Sequence, residues 1–289
     1  DSGDGIQWGD TVDGQTLEEY ARDQALESAA LYATVENWAE DYACTLTDED
    51  RTAMDREWAA RVAQYGGEEA YLDVLSRMGL DRTEAEAISG DYYLYRHLYE
   101  LYCTEGSQLA PAEHDLETFA QEQGYLTVDH IWISTADADP ADPEAAAACR
   151  ARAEEAFSKL NGSADPLNDF AVLAATYSDE TDRDQHPSGY TCKAGDGTLP
   201  AACEEAVLAL EEGQFSGVVE ADDGFYLLLR KPLDLDAVAP DYFDALLQAA
   251  ADSAEVSAAR AYEDLNVQQF YDGLQQARAA QRGSGEGAS

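Results

Sequence analysis

The chain has 289 residues, of which 60 are acidic and 17 basic, giving a formal net charge of -43. A hydrophobic fraction of 45% with 17 Tyr and 4 Trp is that of a globular protein rather than a disordered one, and the length allows one large or two to three ordinary domains. So acidic a surface repels phosphate backbones and anionic lipid, which disfavours nucleic-acid and membrane-surface partners.

The start, Asp1-Ser2-Gly3-Asp4-Gly5, reads as a flexible linker rather than a signal peptide. No apolar run reaches the length of about eighteen residues that spanning a bilayer requires, so a membrane tether would need a lipid anchor upstream of Asp1. From 16 to about 123 the pattern is helical. Thr16-Leu17-Glu18-Glu19 has the capping-box form, and Leu17, Tyr20, Ala21, Ala25, Leu31, Val35 and Trp38 recur near helical spacing, predicting one long helix that ends near Cys44. Thr47-Asp48-Glu49-Asp50 opens a second helix with Met54, Trp58, Ala59 and Val62 on its buried face, stopped by Gly66-Gly67. A short helix carrying Tyr71, Leu72, Leu75 and Met78 follows, then one over 83–103 and another over 115–123. In the 83–103 helix Leu94, Leu98 and Leu101 form a stripe expected in the core. Tyr92, Tyr95, Tyr99 and Tyr102 form a second stripe, which either packs against later helices or lines a cradle for peptides. His97 and His114 have no partner at useful spacing and receive no role.

The pattern then changes. Val128-Asp129-His130-Ile131-Trp132-Ile133 and Gly224-Phe225-Tyr226-Leu227-Leu228-Leu229 read as strands. Between them lie two helical segments, the acidic turn Tyr177-Ser178-Asp179-Glu180, a Gly-rich hairpin over 189–197 and a helix over 199–210. Lys231-Pro232-Leu233 ends the last strand, and Pro240 is expected to open a new helix at its favoured first turn. A further helix follows with Val267, Phe270, Tyr271 and Leu274, and the Gly/Ser tail from Gly283 is expected to be disordered. The five cysteines form no Cys-x-x-Cys and no histidine stands at ligand spacing, so no metal site is expected. Glu180 lies among Asp179, Asp182 and Asp184, but the glycine and distal glutamate of a calcium loop are missing. Cysteine usage favours an extracytoplasmic compartment with one or two disulfides.

This order of elements, with His130-Ile131 on the first strand, Tyr177-Ser178-Asp179 after the second helix and Glu204-Glu205-Ala206-Val207 in the next, resembles the parvulin (PpiC-type) peptidyl-prolyl isomerases. The first part resembles the chaperone region of SurA- and PrsA-type foldases through Leu46-Thr47-Asp48-Glu49-Asp50 and Tyr65-Gly66-Gly67-Glu68-Glu69-Ala70-Tyr71-Leu72. The resemblance implies an α+β chain in which a parvulin-like domain over 126–233, a four-stranded antiparallel sheet with surrounding helices, is inserted into an all-α domain. That domain is built from 1–125 and from C-terminal helices over 234–282 that pack back on it, leaving a tail over 283–289.

Carried onto this sequence, the family's first histidine is His130 and its second falls on Tyr226. Ser178-Asp179 matches, Glu180 takes the Cys or Asp position, the Met of the proline slot falls on Leu199 and its Phe on Cys203. The resemblance therefore implies His130, Glu180 and Tyr226 as catalytic residues, with Asp179, Leu199, Cys203 and Phe225 binding substrate. It further implies a disulfide between Cys192 and Cys203, with Cys44 and Cys103 as a second candidate pair and Cys149 free. The implied function is that of an extracytoplasmic foldase, secreted or held at a bacterial cell surface, which isomerises X-Pro bonds in unfolded clients without a cofactor. The changes at Glu180, Cys203 and Tyr226 imply weakened catalysis; the alternative is a holdase that only grips extended segments.

Overall fold

The computed structural model describes residues 6–136 and 143–285; the expected linker at Asp1 to Gly5 and the last four residues of the tail lie outside that range. In chain order the elements are β1 (Thr11–Val12), β2 (Gln15–Thr16), α1 (Leu17–Asp41), α2 (Asp48–Gln64), α3 (Glu68–Arg77), α4 (Arg82–Tyr102) and α5 (Glu113–Gln123). They continue with β3 (Tyr125–Ser134), α6 (Pro143–Asn161), α7 (Pro166–Tyr177), β4 (Tyr190–Lys193), α8 (Ala201–Leu208), β5 (Val219–Ala221) and β6 (Gly224–Lys231). The chain closes with α9 (Leu235–Ser253), α10 (Arg260–Glu263) and α11 (Val267–Gly285). It divides into two compact units, one formed by Asp1–Ala110 with Phe243–Ser289, the other by Pro111–Tyr242. The expected 126–233 segment falls inside the second unit, and α5 groups with it. Among the described residues no helix is long and apolar enough to cross a membrane.

The first unit is helical apart from the small β1–β2 hairpin. Three of its helices begin with capping boxes: Thr16 with Glu19, Thr47 with Asp50, and Asp81 with Glu84, so orphan N–H groups at each start are satisfied by side chains. Its core holds Val35 and Ala39 of α1, Leu75 of α3, Tyr93, Leu98 and Tyr102 of α4, and Phe243 and Leu247 of α9. The Phe243 ring lies 5.4, 5.4 and 5.0 Å from the rings of Tyr95, Tyr99 and Tyr102. Three members of the tyrosine stripe are therefore packing residues against α9, and only Tyr92 stands mostly exposed. In the leucine stripe Leu98 is fully buried, while Leu94 and Leu101 are half-buried.

His97, which the sequence left without a role, reaches Asp50. Its Nε2 is 2.7 Å from the same Asp50 oxygen that takes the Thr47 N–H and hydroxyl at 2.7 and 2.6 Å. One buried carboxylate thus caps α2 and ties it to α4.

The second unit contains a four-stranded antiparallel sheet in the order β4-β3-β6-β5, the sheet that the resemblance implied. The two longest strands, β3 and β6, pair from Thr127 opposite Lys231 to Ser134 opposite Gly224. Period-two alternation sends Ile131, Ile133, Leu227 and Leu229 to one face, where α6 and α7 bring Ala156, Leu160, Phe170 and Ala174. Leu126, Val128, Tyr226 and Leu228 point to the other face and meet Cys203 and Val207 of α8.

Two expectations about the C-terminal part are corrected. Pro240 does not open its helix but lies inside α9; the carboxylate of Asp234 accepts from the N–H groups of Asp236 and Ala237, so the helix starts earlier. Capping at Asp234 fixes the start, and buried Val238 anchors this first part of the helix. The tail is helical as far as Gly285, because α11 continues through Gly283.

Two outcomes follow from these contacts. Asp50 is held down from 3.8 to about 2, first by the Thr47 hydroxyl and next by His97, whereas His97 is raised above its usual 6.5, first by Asp50. The His97–Asp50 pair therefore contributes in full between roughly pH 4 and 6.5, and is lost as pH falls through about 2 or rises through the raised His97 value. Denaturant unfolding of His97→Gln should show its largest deficit near pH 5 to 6 and a smaller one near pH 9. Separately, Gly224 has φ of +153°, and an added Cβ would sit 2.2 Å from the Ile133 carbonyl oxygen. Gly224→Ala is expected to cost more than about 3 kcal/mol, read by the shift in denaturation midpoint.

Candidate active site

The site is built on the edge of β3. The ladder with β4 ends at Val128 opposite Tyr190, leaving the backbone beyond it without a strand partner on that side. The turn after α7 takes over. The Asp179 N–H donates to the Trp132 carbonyl at 2.7 Å, the Trp132 N–H donates to the Ser178 hydroxyl at 3.1 Å, and the Ser134 N–H donates to the Asp179 carboxylate at 3.0 Å. Arg152 of α6 grips both Asp179 oxygens at 3.0 and 2.8 Å and the Tyr177 carbonyl at 2.6 Å. This turn delivers Glu180, whose Oε2 lies 3.2 Å from His130 Nε2. At that distance Nε2 can share a hydrogen bond with the carboxylate, and among the described residues Nδ1 of His130 is buried without a partner.

His130 is 8% exposed and lies within a row of rings. Tyr190 stacks on it at 4.8 Å, Tyr226 is 5.8 Å away, and Trp132 stacks on Tyr226 at 6.3 Å. Both phenols in the row meet a carboxylate: the Tyr226 hydroxyl donates to Asp223 at 2.8 Å and the Tyr190 hydroxyl to Asp182 at 2.7 Å. Burial first, and then the paired carboxylate, push both phenols well above their usual range, so both are protonated at physiological pH. Asp182 is held low, first by the Tyr190 hydroxyl. Behind the rings, Leu199 and Cys203 are buried in the same cluster as Tyr226.

The structure thus brings His130, Glu180 and Tyr226 together, with Leu199 and Cys203 beside them. Two expected substrate contacts lie elsewhere. Phe225 points to the opposite face of the sheet and packs with Ile133 and Ala153, because it adjoins Tyr226 in a strand whose neighbours alternate. Asp179 is occupied by Arg152 and the Ser134 N–H, so it anchors the turn. The expected Cys192–Cys203 disulfide is also corrected: all five cysteines are free thiols. Cys192 and Cys203 pack as small apolar groups in one cluster. Sequence reasoning missed Tyr190, Trp132, Asp182 and Asp223. Trp132 was within reach, since it shares a strand face with His130, whereas Tyr190 arrives through long-range strand pairing.

The buried thiols generate a measurable outcome. Burial pushes the Cys192 thiol up to about 11 and the Cys203 thiol up to about 12. Thiolate is the reactive form. Under native conditions near pH 8, iodoacetamide should therefore label exposed Cys103 and leave Cys192 and Cys203 unmodified until the protein is unfolded, as read by mass spectrometry of the peptides.

Comparison with known proteins bears on this geometry. The rotamase family, described as the PPIC-type PPIase domain, matches residues 130–231. No curated protein matches the chain. Among solved structures, the foldase protein PrsA of Streptococcus pneumoniae is 18% identical, covering 93% of this chain and 92% of its own, at a TM-score of 0.31. PrsA of Bacillus subtilis is 15% identical, covering 91% and 86%, at 0.31. A structure from Campylobacter jejuni, whose PEB4 and Cj1289 are described as SurA-like chaperones, is 14% identical, covering 86% and 99%, at 0.28. Residues 130–231 are a PPIC-type peptidyl-prolyl isomerase domain, as the parvulin resemblance implied.

Proposed function

We propose that the chain is an extracytoplasmic bacterial foldase that isomerises X-Pro bonds of unfolded polypeptides at the His130 side of its sheet, with weakened catalysis. The observation that carries this reading is the His130–Glu180 pair, held 3.2 Å apart in a ring-lined site inside a segment matched by the isomerase family. Placement outside the cytoplasm rests on the sequence resemblance to SurA- and PrsA-type foldases and belongs to the same proposal.

Prolyl isomerisation makes and breaks no covalent bond. Its barrier of about 18–20 kcal/mol is the loss of amide resonance, and a catalyst lowers it by holding the twisted amide better than either planar form. A desolvated ring face with a few fixed polar groups suits that task. The His130 imidazole, oriented by Glu180, is the polar group closest to the centre of the row. Tyr226 is less able to help, because its hydroxyl is already committed to Asp223 and its phenol stays protonated. Catalysis should be slow for that reason. The same observation favours the second reading, a holdase that binds extended segments without turning them over.

A protease-coupled isomerisation assay on short X-Pro peptides separates the two. Loss of one well-placed transition-state donor costs roughly 2.7–4 kcal/mol in other enzymes, so kcat/KM should fall about a hundredfold or more below that of parvulins with two histidines. His130→Ala and Glu180→Gln should lower the residual rate, and Tyr226→His should raise it. Turnover at the usual parvulin level, or a residual rate indifferent to His130→Ala, would overturn the catalytic reading. Cys203→Phe is a poor companion variant, since Cys203 is fully buried and overpacking such a position costs about 1–3 kcal/mol.

A further inference from the structure

Within the helical unit a groove of about 490 Å³ is lined by α1, α4 and α9. Its apolar wall comes from Leu31, Val35 and Leu247, and its rim from Tyr32, Tyr92 and Ile88, which are 48%, 60% and 44% exposed. Surface aromatic and aliphatic side chains gathered at one depression in this way mark binding surfaces more often than chance scatter does. Asp91 also lines the groove. It is 6% exposed, and among the described residues no side-chain hydrogen bond or ion pair reaches its carboxylate. Buried carboxylates are normally paired, and this fold pairs Asp50 with Thr47 and His97. Glu36 lies close enough to add to the negative field at Asp91, and Asp244, which accepts from the Tyr95 hydroxyl at 2.6 Å, brings a second carboxylate to the groove lining.

We propose that this groove holds a cationic side chain, arginine or lysine, of an extended polypeptide, with Asp91 as its buried counter-charge. The aliphatic stem lies along Leu31, Val35 and Leu247, and the charged head reaches Asp91 past the tyrosine rings. Long basic side chains bury their stems in this manner, and tyrosine faces attract cations. A net charge of -43 favours basic segments over acidic ones. The site is separate from the isomerase face, and it rests on the foldase reading only in taking the cation to be carried by a polypeptide.

The test uses the full chain and a short unstructured peptide, capped at both ends, with one arginine between leucines. Its control replaces arginine by citrulline, which keeps the shape and removes the charge. The arginine peptide should bind at least about tenfold more tightly by fluorescence anisotropy, equivalent to 1.4 kcal/mol. Asp91→Asn should abolish most of that preference. Burial raises the Asp91 carboxyl to about 6, so the ionised form strains the fold above that pH and the asparagine variant should melt no lower than wild type at pH 7.5. Tyr92→Ala, at an exposed position, should weaken the arginine peptide without altering melting. Equal binding of the citrulline peptide, or an arginine preference that survives Asp91→Asn, overturns the proposal. Displacement by an equal concentration of spermidine overturns its polypeptide part. Isomerase turnover should be unchanged in both variants, so failure here leaves the isomerase reading standing, and the reverse.

Discussion

The site depends on how the free edge of β3 is closed. A strand edge presents N–H and C=O groups that must be paired, covered or left to water. Where β4 stops, Ser178 and Asp179 bind the Trp132 and Ser134 backbone as a fifth strand would, and Arg152 locks Asp179 from α6. The same turn that satisfies the backbone carries Glu180 to His130. Structure and site are therefore one arrangement: loosening the Arg152–Asp179 clamp frees the edge and releases the carboxylate that orients the imidazole.

A chain with 60 acidic residues must also place carboxylates near apolar surface. Around the sheet face each has a hydroxyl or ring N–H as donor, Asp182 from Tyr190, Asp223 from Tyr226 and Glu180 from His130. These pairings stiffen the rings and keep negative charge close to a desolvated surface. They also restrict chemistry, because a phenol that must leave Asp223 before it can meet a substrate is not preorganised. Restoring a histidine at Tyr226 would change the donor and also release Asp223.

Much of the architecture was legible because local signals and tertiary structure agree. Capping boxes at Thr16 and Thr47 and the Gly66-Gly67 stop fix helix ends through contacts within a few residues. His130 and Tyr226 were legible through the order of elements. The failures have identifiable physical causes. Phe225 and Tyr226 are neighbours on one strand and cannot both face a slot, a conflict that period two already contained. Pro240 carried a strong local preference, but the Asp234 cap and its contact with Thr127, whose hydroxyl accepts the Asp234 N–H at 2.9 Å, fixed the start elsewhere. Tyr190, Asp182 and the His97–Asp50 pair join residues through the fold, and nothing in their sequence spacing announces them.

Asp50 and Asp91 show how one unit treats two buried carboxylates differently. Asp50 receives three donors on one oxygen, and its carboxyl falls to about 2. Asp91, also on a helix of that unit and equally buried, receives none among the described residues, and burial drives its carboxyl to about 6. The first arrangement stabilises the fold near neutral pH, and the second opposes it. The donors around Asp50 show that this scaffold can satisfy such a group, so leaving Asp91 bare beside three tyrosines concentrates an unmet demand for positive charge at the groove. Groups that cost stability in the free protein and regain it on binding are what a recognition site supplies.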